Sequence, residues 1–334
     1  MNTRLTVAGT VLAIALAACG GADTPDPPTP APPSGMVELA VIPQATYDLA
    51  AGEDRRIIFG ALLGDRTLIG GGTLDVRVLS LSSPDATEGT VVSQATASFL
   101  VVPGMAAPAS PDQPAPIDGI RSSGVYQFRS DLPAAGFYGI QVTGVLADGR
   151  IVAGNAVVGV AAEHLVVAPG DDAPRTDNPT VDDGVPLVQL DSCAQEGNPC
   201  DPGNPDAPVA LRFPFLHQAS IADSIAAGRP LVVLVATPVF CVSRFCGPIT
   251  ETFAELAQAH GDRADFVHLE VWKDFQAQEL NPAAAEWIQL PDGNAQEPWT
   301  FLVGADGTIE GRWGNVLDLA DLEARLQALP VLTG

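Results

Sequence analysis

Pro230-Leu-Val-Val-Leu-Val-Ala-Thr-Pro-Val-Phe-Cys241-Val-Ser-Arg-Phe-Cys246-Gly-Pro248 decides how the second half of the chain is read. Leu231 to Ala236 is an unbroken apolar run of strand length, the pattern of a strand buried on both faces. It empties into a short loop with two cysteines. An amphipathic helix follows, with Ile249, Phe253, Leu256, Ala257 and His260 on one face. Cysteines between a strand end and a helix start lie near unpaired backbone N–H groups and the positive end of the helix dipole. Both favour a thiolate, the species that attacks disulfides.

This segment resembles the active-site region of the thioredoxin superfamily, where an aromatic precedes the attacking cysteine at a strand–helix junction. Phe240 takes the aromatic position and Cys241 the nucleophile position. A second stretch, Glu297-Pro298-Trp299-Thr300-Phe301-Leu302-Val303, resembles the family's proline loop and the strand after it, and Asp306-Gly307 resembles the turn into the last strand. The resemblance runs from about Leu211 to the C-terminus. It implies a thioredoxin-like α/β domain in which Cys241 attacks, Cys246 resolves and Pro298, as a cis proline, presents backbone polar groups to a substrate chain. Arg244 would stabilise the thiolate. The spacing departs from the family: Val242, Ser243, Arg244 and Phe245 separate the cysteines, where thioredoxins have two residues. Residues five apart on a regular helix are about 7.5 Å apart along its axis, too far for a disulfide without backbone movement. A loop with Pro248 as the first helical residue reconciles the spacing, and a helix that partly unwinds on oxidation is the alternative. In a second registration, Cys246-Gly247-Pro248-Ile249 overlies the family's Cys-Gly-Pro-Cys and Cys246 is the nucleophile. The distance from the preceding strand favours Cys241.

The N-terminus speaks to compartment. Met1 to Arg4 is short and basic, Leu5 to Ala18 is apolar, and Leu16-Ala17-Ala18-Cys19-Gly20 resembles a bacterial lipoprotein signal. The resemblance implies cleavage before Cys19, lipid on that cysteine, and a protein held on a membrane in the cell envelope, outside the cytoplasm. The remaining four cysteines fall into local pairs, Cys193 with Cys200 and Cys241 with Cys246. An exported location permits both to be bridged, the first as a structural staple. Zinc on the four cysteines is disfavoured by the absence of Cys-x-x-Cys spacing. Sixteen basic residues against 40 acidic ones give a net charge of −24. That balance argues against nucleic acid as a partner.

Five segments follow along the chain. Residues 1–18 read as a signal peptide, 19–35 as a Pro-rich tether, 36–168 as an immunoglobulin-like antiparallel β-sandwich, 169–210 as an acidic linker holding the Cys193/Cys200 loop, and 211–334 as the thioredoxin-like domain. The sandwich rests on short alternating runs: Val37–Ile42, Arg56–Leu63, Thr73–Leu81, Thr90–Val102, Gly124–Arg129, Phe137–Gly144, Ile151–Val158 and His164–Val167. Around Tyr138 the sequence also resembles the tyrosine corner of immunoglobulin-like domains. In the C-terminal part, Ser220 to Asp223 reads as a capping box, Asn281-Pro282 as a helix start, and Leu319, Leu322, Leu326 and Leu329 as one helical stripe. The expected fold class is therefore multidomain, a β-sandwich followed by an α/β domain.

The functional expectation is a membrane-anchored, extracytoplasmic thiol–disulfide oxidoreductase that uses Cys241 and Cys246 on a protein dithiol or disulfide partner, without metal or cofactor. Two alternatives remain open. The protein could be a non-catalytic surface binding or scaffold lipoprotein with a permanent disulfide. It could also be a copper protein resembling the Sco type, to which His217 and His268 point.

Overall fold

The computed structural model describes residues 36–119, 122–241 and 245–332. Cys19, expected to carry lipid, the expected signal and tether, and Arg244 lie outside the described residues. Gly35 to Gly334 form one compact unit.

Seven long strands dominate the first half of the described residues: β1 (Met36–Gln44), β2 (Gly52–Leu63), β3 (Thr73–Leu81), β4 (Thr90–Val101), β5 (Gly124–Leu132), β6 (Gly136–Val145) and β7 (Ile151–Val160), beside a two-residue pair at Ile69–Gly70 and Ala115–Pro116. Their alternation sets their faces. In β3, Leu74, Val76 and Val78 point inward while Thr73, Asp75 and Arg77 face solvent. The inward residues of all seven strands share one core, with Phe59 stacked on Tyr126 at 5.6 Å. The Tyr126 hydroxyl, buried with its ring, donates to the Gly71 carbonyl at 2.8 Å.

The expected sandwich is overturned. The strands hydrogen-bond in the order β1-β2-β5-β4-β3-β6-β7 and close into a barrel. Closure comes from β1, which pairs antiparallel with β2 and, over Met36–Glu38, parallel with Ile151–Ala153 of β7. Both outer strands thereby lose their free edges, which a sandwich would leave open. The eighth expected strand, His164–Val167, does not form. The backbone N–H groups of Leu165 and Val166 go to the Asp48 carboxylate instead of to a neighbouring strand. Tyr138 does bond back to the chain before it, its hydroxyl donating to Ala134 O at 2.8 Å.

The C-terminal half contributes α1 (Ile221–Ala226), β8 (Leu231–Ala236), α2 (Cys246–His260), β9 (Asp265–Glu270), α3 (Pro282–Ile288), β10 (Trp299–Val303), β11 (Ile309–Gly314) and α4 (Leu319–Ala328). These four strands form a mixed sheet in the order β9-β8-β10-β11, with β8 parallel to β9 and antiparallel to β10, and the short segments Trp272–Asp274 and Glu279–Leu280 pair separately. Local signals set the helix ends. Ser220 accepts the Asp223 N–H, Asn281 accepts that of Ala283, and Asp318 accepts that of Asp321. Gly228, with φ of +66°, follows α1 in the left-handed conformation that glycine adopts at low cost.

This half does not stand as a separate α/β domain, so the second part of the expected fold class is also corrected. Strand makes up 38% of the structure and helix 16%. The core on one face of β8 contains Ile58, Val102 and Val125 from the barrel beside Cys246, Ile249 and Phe253. A sheet that shares its core with the barrel cannot be lifted away without exposing apolar surface on both sides. The stretch from Ala168 to Ala194 is docked at several points as well, while the residues from Glu196 to Ala210 are mostly exposed. Asp172 bridges to Thr308, the Thr176 hydroxyl receives the Trp287 indole N–H at 2.9 Å, and Asn178 Oδ1 accepts the Ile221 N–H at 2.8 Å.

Candidate functional site

All six residues of β8 are fully buried, because the strand lies inside the sheet with apolar cores on both faces. Three segments meet at its C-terminal end. Thr237 to Cys241 leave β8 there, Glu270 pairs with Ala236 in register, and Val235 pairs with Trp299, which places Pro298 at the same end. The Glu297–Pro298 peptide is cis. Pro298 is buried, and its carbonyl accepts the Asn315 N–H at 2.8 Å.

Cys241 and Cys246 are joined as a disulfide, with their Cα atoms 6.0 Å apart. The helix begins at Cys246 itself, two residues before the expected start at Pro248. Cys246 is fully buried and Cys241 only partly so. The two residues therefore differ in exposure: Cys241 is partly open to solvent, and buried Cys246 is the first residue of α2. Phe240, just before Cys241, stacks on Phe275 with centroids 4.1 Å apart. The second pair, Cys193 and Cys200, is also a disulfide, with a Cα separation of 5.5 Å.

The docked stretch ahead of Cys193 supports this end from below. Buried Ser192 donates its N–H to Glu270 Oε2 at 2.8 Å, and its hydroxyl accepts the Val239 N–H at 3.2 Å. One residue thus ties the end of β9 to the loop that carries Cys241. Burial pushes the Glu270 carboxyl up to about 7, against hydrogen bonds from Thr237 and Ser192 that pull it down. A carboxyl of this kind gains and loses its proton near neutrality.

His217 and His268 do not join the cysteines. Their rings meet edge to face with centroids 5.3 Å apart, and the third partner is Asp191. All three side chains are buried. Burial, helped by His268, pushes the His217 imidazole down to about 3. Burial also lowers His268, opposed by the charge of Asp191 and the bond to the Ala236 carbonyl. Both rings are therefore neutral at pH 7. Sequence reading placed both histidines but missed Asp191 as their partner, since the three residues lie far apart along the chain. The only local signal was the alternation of His268 and Glu270 along one strand.

Among the described residues, no helix is long and apolar enough to cross a membrane. No family model matches the sequence, and no curated protein matches it either. Among solved structures, CopC from Methylosinus trichosporium OB3b is similar at 16% identity, over 36% of this chain and 94% of that chain, with a TM-score of 0.20. A likeness at that TM-score carries no argument about this chain.

Proposed function

We propose that the protein is a thiol–disulfide oxidoreductase, held outside the cytoplasm by lipid on Cys19 and acting through Cys241 and Cys246 on a protein dithiol or disulfide. The observation that carries this reading is the asymmetry of the pair. A partly exposed cysteine is bonded to a fully buried one on the first residue of a fifteen-residue helix, at the end of the two central strands, where Pro298 also lies. The resemblance of the cysteine and proline segments to those of the thioredoxin superfamily supports the same chemistry.

Starting from the bridged pair, a substrate thiolate attacks the sulfur of Cys241. A mixed disulfide forms and Cys246 leaves as a thiolate. The N-terminus of α2 stabilises that negative charge, which makes Cys246 the better leaving group. The substrate's second thiolate then attacks its own sulfur in the mixed disulfide and releases Cys241 as a thiolate. Two electrons pass from the substrate to the pair, the substrate leaves as a disulfide, and water reprotonates the thiolates as pH dictates. Reduction of a substrate disulfide is the same sequence reversed, with Cys241 attacking and Cys246 resolving. Arg244, between the two cysteines in sequence, would add positive charge near either thiolate.

Trapping tests the scheme. Cys246→Ser should accumulate a mixed disulfide at Cys241 that mass spectrometry detects, and Cys241→Ser should abolish exchange. Adducts at Cys246 in the Cys241→Ser protein would reverse the two roles. The absence of adducts in either variant would leave the bridge a structural one.

A further inference from the structure

We propose that Asp191, His217 and His268 form a binding site for one divalent first-row transition-metal ion, separate from the cysteine pair and independent of its redox reading. The three residues arrive from different parts of the fold. Asp191 precedes the Cys193–Cys200 loop, His217 ends the single helical turn Pro214–His217, and His268 lies on β9. None is more than 3% exposed, and one potential ligand atom from each lies within 4.8 Å of the others.

The hydrogen bonds leave the cluster unfinished. Both ring nitrogens of His217 and Nδ1 of His268 are buried without a partner. A buried polar atom left unpaired costs about 1–3 kcal/mol, and a neutral imidazole keeps one lone pair, so two such rings beside a buried carboxylate call for an occupant. The rest of the cluster is arranged to present lone pairs. His268 Nε2 lies 3.1 Å from Ala236 O, and a carbonyl only accepts, so Nε2 carries the proton and Nδ1, which has no hydrogen-bond partner, keeps its lone pair. Ligating histidines are commonly oriented by such a second hydrogen bond. Asp191 is held in the same way, its Oδ1 accepting the Cys193 N–H at 2.8 Å.

Two neutral imidazoles and one carboxylate suit zinc, copper, iron or nickel. Calcium and magnesium prefer all-oxygen sites. Bonds of about 2.0–2.2 Å set donors about 3.3 Å apart around a tetrahedral ion, so loading would draw these donors inward by roughly 1.5 Å at most. The disulfides leave the four described cysteines without thiolates to compete for the ion.

Zinc is the probe. The oxidised full-length protein, in millimolar magnesium to occupy exposed carboxylates, is titrated with zinc against a chromophoric chelator. The expected result is one zinc per chain with a submicromolar dissociation constant. X-ray absorption should show nitrogen and oxygen neighbours with imidazole scattering and no sulfur. Asp191→Asn, His217→Gln and His268→Gln should each weaken binding by about a hundredfold or more, and the Cys241→Ser/Cys246→Ser double variant should bind as the parent does. Absence of submicromolar binding in the parent protein, sulfur in its absorption spectrum, or undiminished binding in folded His217→Gln would each overturn the proposal. The first two readouts need no variant to fold.

Discussion

At the scale of the residue, access and charge are divided between Cys241 and Cys246. The first is partly open to solvent, and the second is fully buried on the helix start. After mild reduction, Cys241 should therefore be alkylated several-fold faster than Cys246, as read by peptide mass mapping over time. Faster labelling of Cys246 would mean that burial does not govern their reactivity. Tyr138 offers a second test, because its ring is buried and its hydroxyl holds Ala134 O. Tyr138→Phe should cost about 1 kcal/mol, read as a lower denaturant midpoint at unchanged slope. The cysteines were legible in the sequence because they are close together and sit between two strong patterns. Asp191 was not, because nothing near it in the chain announces the histidines it meets.

At the scale of the element, alternation carried the reading well. Strands β1 and β3 show it plainly, while β2 breaks it at Ile57, Ile58 and Phe59, where both faces are covered. Pairing is different, since the contact of Met36–Glu38 with Ile151–Ala153 joins the two ends of the barrel and leaves no local trace. The misread strand at His164–Val167 has a similar cause. Its residues favour strand, but a tertiary partner, Asp48, takes its backbone N–H groups. Helix starts were more legible because caps are local. Asp318 caps α4 through the Asp321 N–H and also accepts from Gln127 of β5 at 2.5 Å. Asp318→Ala should destabilise the protein by about 1–2 kcal/mol, measured by chemical denaturation. Asp318→Asn should restore most of that loss, because it keeps the cap.

At the scale of the whole molecule, a buried ionic cluster fastens barrel to sheet. Asp48, just after β1, pairs with Arg312 of β11 and with His164, and Arg312 also donates to the carbonyls of Val166 and Val167. Burial raises the Asp48 carboxyl, but His164, Arg312 and the Leu165 N–H outweigh it and hold it below its ordinary value. A carboxylate lowered in the folded state stabilises fully above its unfolded value of about 3.8, and that contribution fades as pH falls through the lower folded value. Asp48→Ala should cost about 3–5 kcal/mol at pH 7, because it strands Arg312 without its partner. The difference from the parent should shrink below pH 4, as thermal melts across pH will show. A difference independent of pH would mean that packing, not the ion pair, is what Asp48 supplies. Composition gave no hint of this union: the Pro- and Asp-rich stretch from Ala168 to Ala210 has the make-up of a linker, yet single residues such as Thr176, Asn178 and Ser192 anchor it.

The central claim is that the Cys241–Cys246 bridge exchanges electrons with other thiols, and its reduction potential tests that most directly. The full-length protein is equilibrated in glutathione buffers of graded potential, quenched with acid and alkylated. The pair then has to be resolved from Cys193–Cys200 by peptide mass. An exchanging pair should titrate between about −270 and −120 mV, the range spanned by protein thiol–disulfide catalysts. A midpoint below about −300 mV, with the bridge intact throughout that range, would contradict the account and make it a structural disulfide.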